Sequence, residues 1–180
     1  NIPPHNLAEV IDATKAYMLD ENITTRELMR YVKGPDFPTG GIVTNKDELL
    51  EIYETGVGKV KIRGKVEVEK AKGGKTNLVI TEIPYKVRKK DLVKHIYDLA
   101  AEKKIEGIDD VVDYSSNRDG GMRIVIDIKK DANPQVVLNK IYRYTALQST
   151  FGAILLAIVN GKPQILTLKE MLQNCIDFQY

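Results

Sequence analysis

Four basic side chains recur at every second position along one segment of the sequence. The stretch 59–69 reads KVKIRGKVEVE and places Lys59, Lys61, Arg63 and Lys65 on one side of an extended chain. Because side chains at i and i+2 point to the same face of a strand, this spacing predicts one basic face and one core-facing apolar face. Like charges held in a row repel each other, so the pattern favours either a polyanion partner or a solvated strand face.

Side chains that could support enzymatic chemistry are few and scattered. His5 and His95 lie far apart, Cys175 falls on the apolar stripe of a predicted helix, and no cysteine or histidine spacing suits a metal. Three aspartates between residues 109 and 113 are better explained as a solvated strand edge. The tyrosines have no identifiable base beside them to activate a nucleophile. We therefore predict no catalytic residue, no metal site and no bound cofactor in this chain.

The composition is typical of a globular protein with a sizeable core. The 180 residues are 43% hydrophobic and 29% charged, which fits one domain with attached segments. No apolar run approaches ~20 residues, so no membrane-spanning segment is predicted. The single cysteine cannot form an internal disulfide, which favours an intracellular compartment. The chain begins without methionine and its last predicted helix lacks a stop signal, so we expect a fragment of a longer protein.

The net charge of +2 hides a local basic region. Between Lys59 and Lys104 there are 14 lysines and arginines against 6 acids, whereas the remainder has 13 against 19. The first part therefore carries a net charge of +8 and the remainder −6. A partner that recognises charge would meet a basic patch and not a generally basic protein.

Residues 1–56 are predicted to form a loop followed by short helices. Prolines in Asn1–Asn6 exclude a helix there, and capping boxes begin helices directly after this loop and after Thr24. A loop rich in glycine and proline covers residues 34–41, and residues 45–54 form a third helix.

Residues 57–166 have the element order of an α/β plait. From Thr76 onward the strand and helix patterns follow the order β-α-β-β-α-β, which is the split βαβ arrangement of ferredoxin-like domains. We therefore predict an α+β fold, a two-layer α/β sandwich with helices on one face of a four-stranded sheet. The basic strand extends that sheet, and residues 151–159 supply its last strand. Residues 167–180 carry the apolar stripe of a final helix.

Two loops, NIPPHNL at residues 1–7 and GPDFPTGG at 34–41, resemble signatures of bacterial type IIA DNA topoisomerases. The similarity is to the breakage–reunion subunit, which is the A-type subunit of DNA gyrase or of topoisomerase IV. Further motifs follow in family order across essentially the whole chain: YETGVGKV at 53–60, TEIPYKV at 81–87, GMRIVIDIKKDA at 121–132 and LQSTFG at 147–152.

This resemblance implies a tower domain, in which residues 167–180 begin the helix that leads to a coiled coil. In this family the parent enzyme cleaves one duplex, passes another through and reseals the break, using ATP and Mg²⁺ bound by other regions. The catalytic tyrosine would precede Asn1, so the fragment alone would be inactive. The implied partners are double-stranded DNA, an ATPase B-type subunit and a second copy of the A-type subunit, with no membrane partner. The implied location is the bacterial cytoplasm, at the nucleoid.

The resemblance also implies that the basic face contacts DNA phosphates. The predicted DNA-binding residues are four cations of that face and two residues of the first loop: Lys59, Lys61, Arg63, Lys65, His5 and Asn6. The loop pair lies close in sequence to the family's DNA-wedging element, although a structural loop capped by Asn6 explains it equally well. Val57 stands where the family usually has a basic residue, so individual loop contacts do not carry over.

Two other functions stay open beside a gyrase tower that supports supercoiling. A freestanding plait could bind RNA or a small ligand, but RNA-binding plaits display aromatic side chains where this chain has aliphatic and charged ones. A purely structural spacer is the second alternative. Within the family, residues 158–163 favour gyrase, whereas GPDFPTGG favours topoisomerase IV and thus decatenation.

Overall fold

In the computed structural model, the chain divides into two compact units whose segments alternate along the sequence. The structure describes residues 1–116 and 121–179, the side chain of Gln179 excepted. The segments of each unit are 1–38, 43–61 and 150–180 for unit 1, and 39–42 and 62–149 for unit 2. The predicted division at residues 56 and 166 stays a prediction.

The described residues form six α-helices and nine strands. In chain order the helices are α1 (Leu7–Leu19), α2 (Thr25–Leu28), α3 (Leu49–Thr55), α4 (Lys89–Ala101), α5 (Pro134–Tyr144) and α6 (Leu168–Gln179). The strands are β1 (Ile42–Val43), β2 (Val57–Arg63), β3 (Lys65–Lys70), β4 (Thr76–Glu82), β5 (Ile108–Asp113), β6 (Ile124–Ile128), β7 (Gln148–Ile154), β8 (Leu156–Val159) and β9 (Lys162–Ile165). None of the described helices is long and apolar enough to cross a membrane.

Side-chain caps confirm the predicted helix starts. Asn6 Oδ1 accepts a hydrogen bond from the Glu9 amide at 3.2 Å, which fixes the start of α1. Thr24 and Glu27 form a capping box at α2, where the Thr24 hydroxyl accepts from the Glu27 amide and donates to its carboxylate. These bonds satisfy backbone donors that a helix start would otherwise leave unpaired. Gly56 ends α3 with φ of 83°, a left-handed conformation that glycine adopts without strain.

Unit 2 contains a four-stranded antiparallel sheet in the order β3-β4-β6-β5. Alternate residues of β4 and β6, such as Ile80 and Ile126, belong to one buried apolar cluster. The inward faces of α4 and α5, including Ile96 and Ile141, belong to the same cluster. This arrangement confirms the α+β class, and the shared cluster shows that α4 and α5 pack against the sheet.

The prediction that residues 151–159 form the last strand of the plait is wrong. Residues 151–159 form parts of two strands, because β7 ends at Ile154 and β8 begins at Leu156. β7 pairs in a separate sheet of order β1-β2-β7, while β8 and β9 form a hairpin closed at Asn160 and Gly161. The place beside β4 is taken by β3, so the four-stranded sheet is completed by a strand that precedes β4 in the chain.

The basic segment is two strands and not the single predicted one. β2 ends at Arg63, β3 begins at Lys65, and the two belong to different sheets. Gly64 separates the two strands. Its backbone lies close to Leu147, since the Gly64 amide donates to the Leu147 carbonyl at 2.8 Å. A Cβ atom at Gly64 would lie 2.5 Å from Leu147 Cδ1 and 2.7 Å from the Glu82 carbonyl oxygen, so no larger residue fits there.

Candidate nucleic-acid interface

A buried asparagine fixes the backbone that carries the first two lysines. Asn45 is only 5% exposed, and its amide Nδ2 donates to the Lys59 carbonyl at 2.7 Å. Its Oδ1 accepts from the Lys61 amide at 2.8 Å, and the Thr44 amide donates to the Lys61 carbonyl at 2.9 Å. A side chain that satisfies both a carbonyl and an amide replaces a neighbouring strand at this point of β2. The backbone of Lys59 and Lys61 is therefore held in place while their side chains are left outside.

Lys59 and Lys61 present their ammonium groups to solvent from one face of β2. Both side chains are exposed, whereas Val60 between them is fully buried. No described carboxylate forms an ion pair with either lysine, although other surface lysines of the described chain are paired. Two unpaired cations on a fixed strand, two residues apart, can contact an extended row of phosphates.

Arg63 differs from the two lysines because its guanidinium is held by the protein. Its Nε donates to Gln148 Oε1 at 2.9 Å, and its Cζ lies 4.3 Å from the centroid of the Tyr142 ring. Tyr142 is fixed in turn, since its hydroxyl donates to the Gly64 carbonyl at 3.1 Å. Burial raises the pKa of Tyr142, and the nearby Arg63 charge opposes that shift. Arg63 thus has a structural role in unit 2, which the prediction of a solvent-facing row of cations did not include.

Lys65 is exposed at the first residue of β3. It pairs with Glu82 in the register of β3 and β4, and the register shifts directly after it. The boundary between the two units falls between Lys61 and Ile62, so the four predicted cations are divided two and two. The structure brings Lys59 together with Lys61 on β2, and it places Lys65 in another sheet.

Both ring nitrogens of His5 are occupied within unit 1. Nδ1 lies 2.7 Å from the Pro3 carbonyl, which can only accept, so Nδ1 carries the proton. Nε2 therefore accepts from the Tyr53 hydroxyl, also at 2.7 Å, and Tyr53 is only 2% exposed. Burial lowers the pKa of His5 and raises that of Tyr53, so the neutral pair is favoured. A phosphate contact through either ring nitrogen would require one of these bonds to break.

Asn6 caps α1 and lies beside His5 in the same loop. The capping bond occupies Oδ1, and no described contact joins Asn6 or His5 to the exposed lysines of β2. The loop itself is tied down, because the Pro4 carbonyl accepts from the Asp36 amide at 2.8 Å and the Asn1 carbonyl from the Ile154 amide at 2.9 Å. These bonds establish a structural role for His5 and Asn6. Their contact with DNA stays a prediction.

The sequence patterns missed the residues that hold the site. Asn45 was predicted to begin a helix, and it does precede the 3₁₀ turn Lys46–Glu48 that leads into α3. Its side chain makes no backbone capping bond there, however, and bonds instead to the backbone of β2 on both sides of Val60. Tyr142 and Gln148 position Arg63 from more than 75 residues away in the chain. No sequence signal indicated this role, because Asn45 stands in the polar run TNKDE at 44–48. Among the described residues no group of acids, histidines and cysteine is arranged to hold a metal.

Comparison with known proteins gives one family over the whole chain. The family model that describes the A subunits of DNA gyrase and topoisomerase IV matches residues 1–180. The DNA gyrase A subunit of Clostridium acetobutylicum is 51% identical over 179 residues, which are 99% of this chain and 21% of that protein. The corresponding subunits of Metamycoplasma arthritidis and Kosmotoga olearia are each 48% identical, over 99% and 100% of this chain and 20% and 22% of their own lengths. The chain thus spans about a fifth of the length of these curated relatives.

Proposed function

Because the chain belongs to the family of DNA gyrase and topoisomerase IV A subunits, we propose that it is the tower domain of a DNA gyrase A subunit. In this role it supports and bends a gate duplex while the parent enzyme passes a second duplex and introduces supercoils. The gyrase assignment is favoured because the similar subunits carry that name. The same domain of topoisomerase IV is the alternative, because the family model covers both enzymes.

The observation that carries the DNA-contact role is the exposed pair Lys59 and Lys61 on a fixed strand. Their backbone is bracketed by buried Asn45, so the two ammonium groups project from a rigid support. Contacts of this kind neutralise phosphates and release counterions, but they carry no base sequence. They suit a protein that must hold duplexes of many sequences.

These phosphate contacts would also help to bend the duplex. Bending a site of 20–30 base pairs costs on the order of 1–6 kcal/mol, and cations along the flanks offset part of that cost. The chain itself is proposed to contribute no catalytic group. Strand cleavage, ATP and Mg²⁺ would belong to other regions of the parent, which pairs two A-type subunits with ATPase B-type subunits.

The test is the salt dependence of duplex binding by the parent dimer. The variant is Lys59→Gln with Lys61→Gln, and the control is Lys15→Gln with Lys33→Gln, which removes two exposed lysines of the same unit. The log–log slope should become shallower by about 0.9 per lost phosphate contact, or roughly 1.8 in all, for the first pair only. Affinity should fall equally for duplexes of unrelated sequence. An unchanged slope would leave a structural spacer as the better account of this domain.

A further inference from the structure

Four segments of unit 2 meet at one end of its sheet. β3 begins where β4 ends, since Lys65 pairs with Glu82. The turn after β4 leads into α4, and the chain after α5 returns to the same end, where the Leu147 carbonyl accepts from the Gly64 amide at 2.8 Å. A surface cavity of about 390 Å³ is lined there by Lys86 and Arg88 from the turn and by Ala146 from the segment after α5. Residues that are distant in sequence therefore share this end.

The exposed side chains at this end are mainly basic. One cation comes from β3, two from the turn before α4 and one from the last turn of α5, and we call these four the basic end: Lys65, Lys86, Arg88 and Arg143. Arg88 stands at the start of α4 but makes no capping bond. The Arg143 guanidinium lies 5.4 Å from the centroid of the Tyr144 ring. No described carboxylate forms an ion pair with Lys65, Arg88 or Arg143.

The acids at this end are largely engaged elsewhere. Glu82 is half-buried, and its carboxylate accepts from the Gly41 amide at 2.7 Å. Asp113 pairs with Lys89 at 3.0 Å, so those two charges cancel. Asp91 is exposed in the first turn of α4, and exposed Lys90 beside it balances its charge. Glu67, exposed two residues after Lys65 on β3, and Glu82 leave two negative charges against the four cations of the basic end, which thus keeps a positive excess.

Lys86 occupies a backbone conformation in which glycine would be less strained. Its φ is 71°, and the Val87 amide closes the turn on the Pro84 carbonyl at 3.1 Å. A positive φ at the third residue of such a turn favours glycine. Lys103, at φ of 57°, is also left-handed, but it follows the end of α4, where that conformation is common. A lysine in this strained turn motivates a functional explanation.

We propose that the basic end is a second phosphate-contacting surface, which binds the backbone of duplex DNA. It rests on the proposed function, and it adds Lys86, Arg88 and Arg143 to the residues that hold the duplex. Cations supplied by a strand, a turn and a helix end stand at separate points of one compact unit, as contact with several phosphates requires. A protein partner would instead be expected to need an apolar centre surrounded by polar groups.

The experiment compares two triple variants of the parent dimer in duplex binding at several salt concentrations. One carries Lys86→Gly, Arg88→Gln and Arg143→Gln. The other carries Lys103→Gly, Lys129→Gln and Lys130→Gln, which removes three exposed cations from the opposite end of unit 2 and also replaces one left-handed lysine. The basic-end variant should lose affinity for unrelated duplexes alike, with a slope shallower by about 0.9 per lost contact. The control should keep the wild-type slope.

Lys86→Gly alone separates binding from folding. It removes the contact of Lys86 Nζ with the Tyr85 ring at 5.9 Å but relieves the turn, so the protein should stay folded, as a cooperative thermal melt would show, while DNA binding weakens. If the basic-end variants keep the wild-type slope while Lys59→Gln with Lys61→Gln lowers it, the basic end is not a DNA surface and the proposed function stands. If neither set changes the slope, the proposed function fails as well. Equal losses in the basic-end and control triples would show a general charge effect and overturn the basic end.

Discussion

The interior of unit 2 and the interior of unit 1 illustrate two kinds of stabilising interaction. Unit 2 is organised around one apolar cluster in which α4, α5 and the four-stranded sheet each contribute regularly spaced side chains. Unit 1 draws its parts from three separate chain segments and buries apolar side chains such as Leu28, Ile52 and Leu172, but it also contains specific polar bonds, among them the bond from Tyr53 to His5 and the bonds of Asn45 to the β2 backbone. The structure thus contrasts apolar contacts in a regular layer, which follow a local period, with specific polar bonds in unit 1, each of which depends on one side chain.

Truncation within the cluster of unit 2 should have the largest effect on stability. Ile126 is fully buried in β6, and Ile126→Ala leaves a cavity among side chains of α4, α5 and β4. We expect a loss of about 2–5 kcal/mol in the free energy of unfolding, measured by denaturant titration. Ile158→Ala on β8 is the matched control, because Ile158 is 73% exposed and its removal opens no cavity. Equal losses in the free energy of unfolding for both variants would mean that Ile126 contributes no more to stability than an exposed isoleucine.

The stability of unit 1 should depend on the side chain of Asn45, which bonds to the backbone of β2. Asn45→Ala removes the acceptor of the Lys61 amide and the donor to the Lys59 carbonyl, so a buried part of β2 loses its partners. An unsatisfied buried group costs about 1–3 kcal/mol, and we expect a loss in that range. Asn139→Ala is the control, because Asn139 is exposed and bonds only to the side chain of Gln135 one turn away. Hydrogen exchange at the Lys61 amide should accelerate in Asn45→Ala and stay slow in the control.

These two residues also show what could be predicted from the sequence. Ile126 lies in a strand whose alternate residues are all aliphatic, and this local periodicity predicted both the strand and the burial of Ile126. Asn45 shares its function with residues 14 and 16 positions away, and no local pattern records such a distant pairing. The same reason explains why the place of β7 was predicted wrongly: strand propensity is local, whereas the choice of neighbour depends on the whole sheet.

The candidate site follows the same rule. The exposure of Lys59 and Lys61 opposite buried Val60 could be predicted, because alternation along β2 is local. The contacts of Arg63 could not, because Tyr142 and Gln148 are distant from it in the sequence and meet it only in the folded chain. The break at Gly64 also arises from tertiary contact, since Leu147 and Glu82 leave no room for a side chain there.

The His5–Tyr53 pair should give unit 1 a dependence on pH that the apolar layer lacks. Burial lowers the pKa of His5 from its ordinary value of 6.5, so below pH 6.5 the unfolded chain binds a proton more readily than the folded one. Stability from this group is complete above pH 6.5 and is lost as the pH falls towards the folded-state pKa. His5→Asn should cost about 1 kcal/mol at neutral pH, since it leaves the Tyr53 hydroxyl unpaired, and this cost should shrink on acidification.

Thermal melts of wild type and His5→Asn over a pH series would measure this change. His95→Asn controls for the removal of an imidazole as such, because His95 is exposed on α4. The charges that face His5 are those of Glu9 and Asp36, both of which favour its protonated form and so weaken the effect of burial. If the difference in melting temperature between wild type and His5→Asn grew as the pH fell, the effect of these carboxylates on the pKa of His5 would exceed the effect of burial.

The smallest effect on stability is expected for Lys61 on the basic face of β2. It can be compared with the effect of changing Arg63, two residues further along the same strand. Lys61→Gln removes an exposed charge with no ion pair among the described residues, so the free energy of unfolding should change by less than ~0.5 kcal/mol. Arg63→Gln, two residues further on, removes the bond to Gln148 and the contact with the Tyr142 ring, which should cost about 1 kcal/mol. Denaturant titration of both variants compares a cation that is available for a partner with one that already has its partners in the fold. Equal changes would mean that Arg63 is as free as Lys61, and its assignment to the structure of unit 2 would then be wrong.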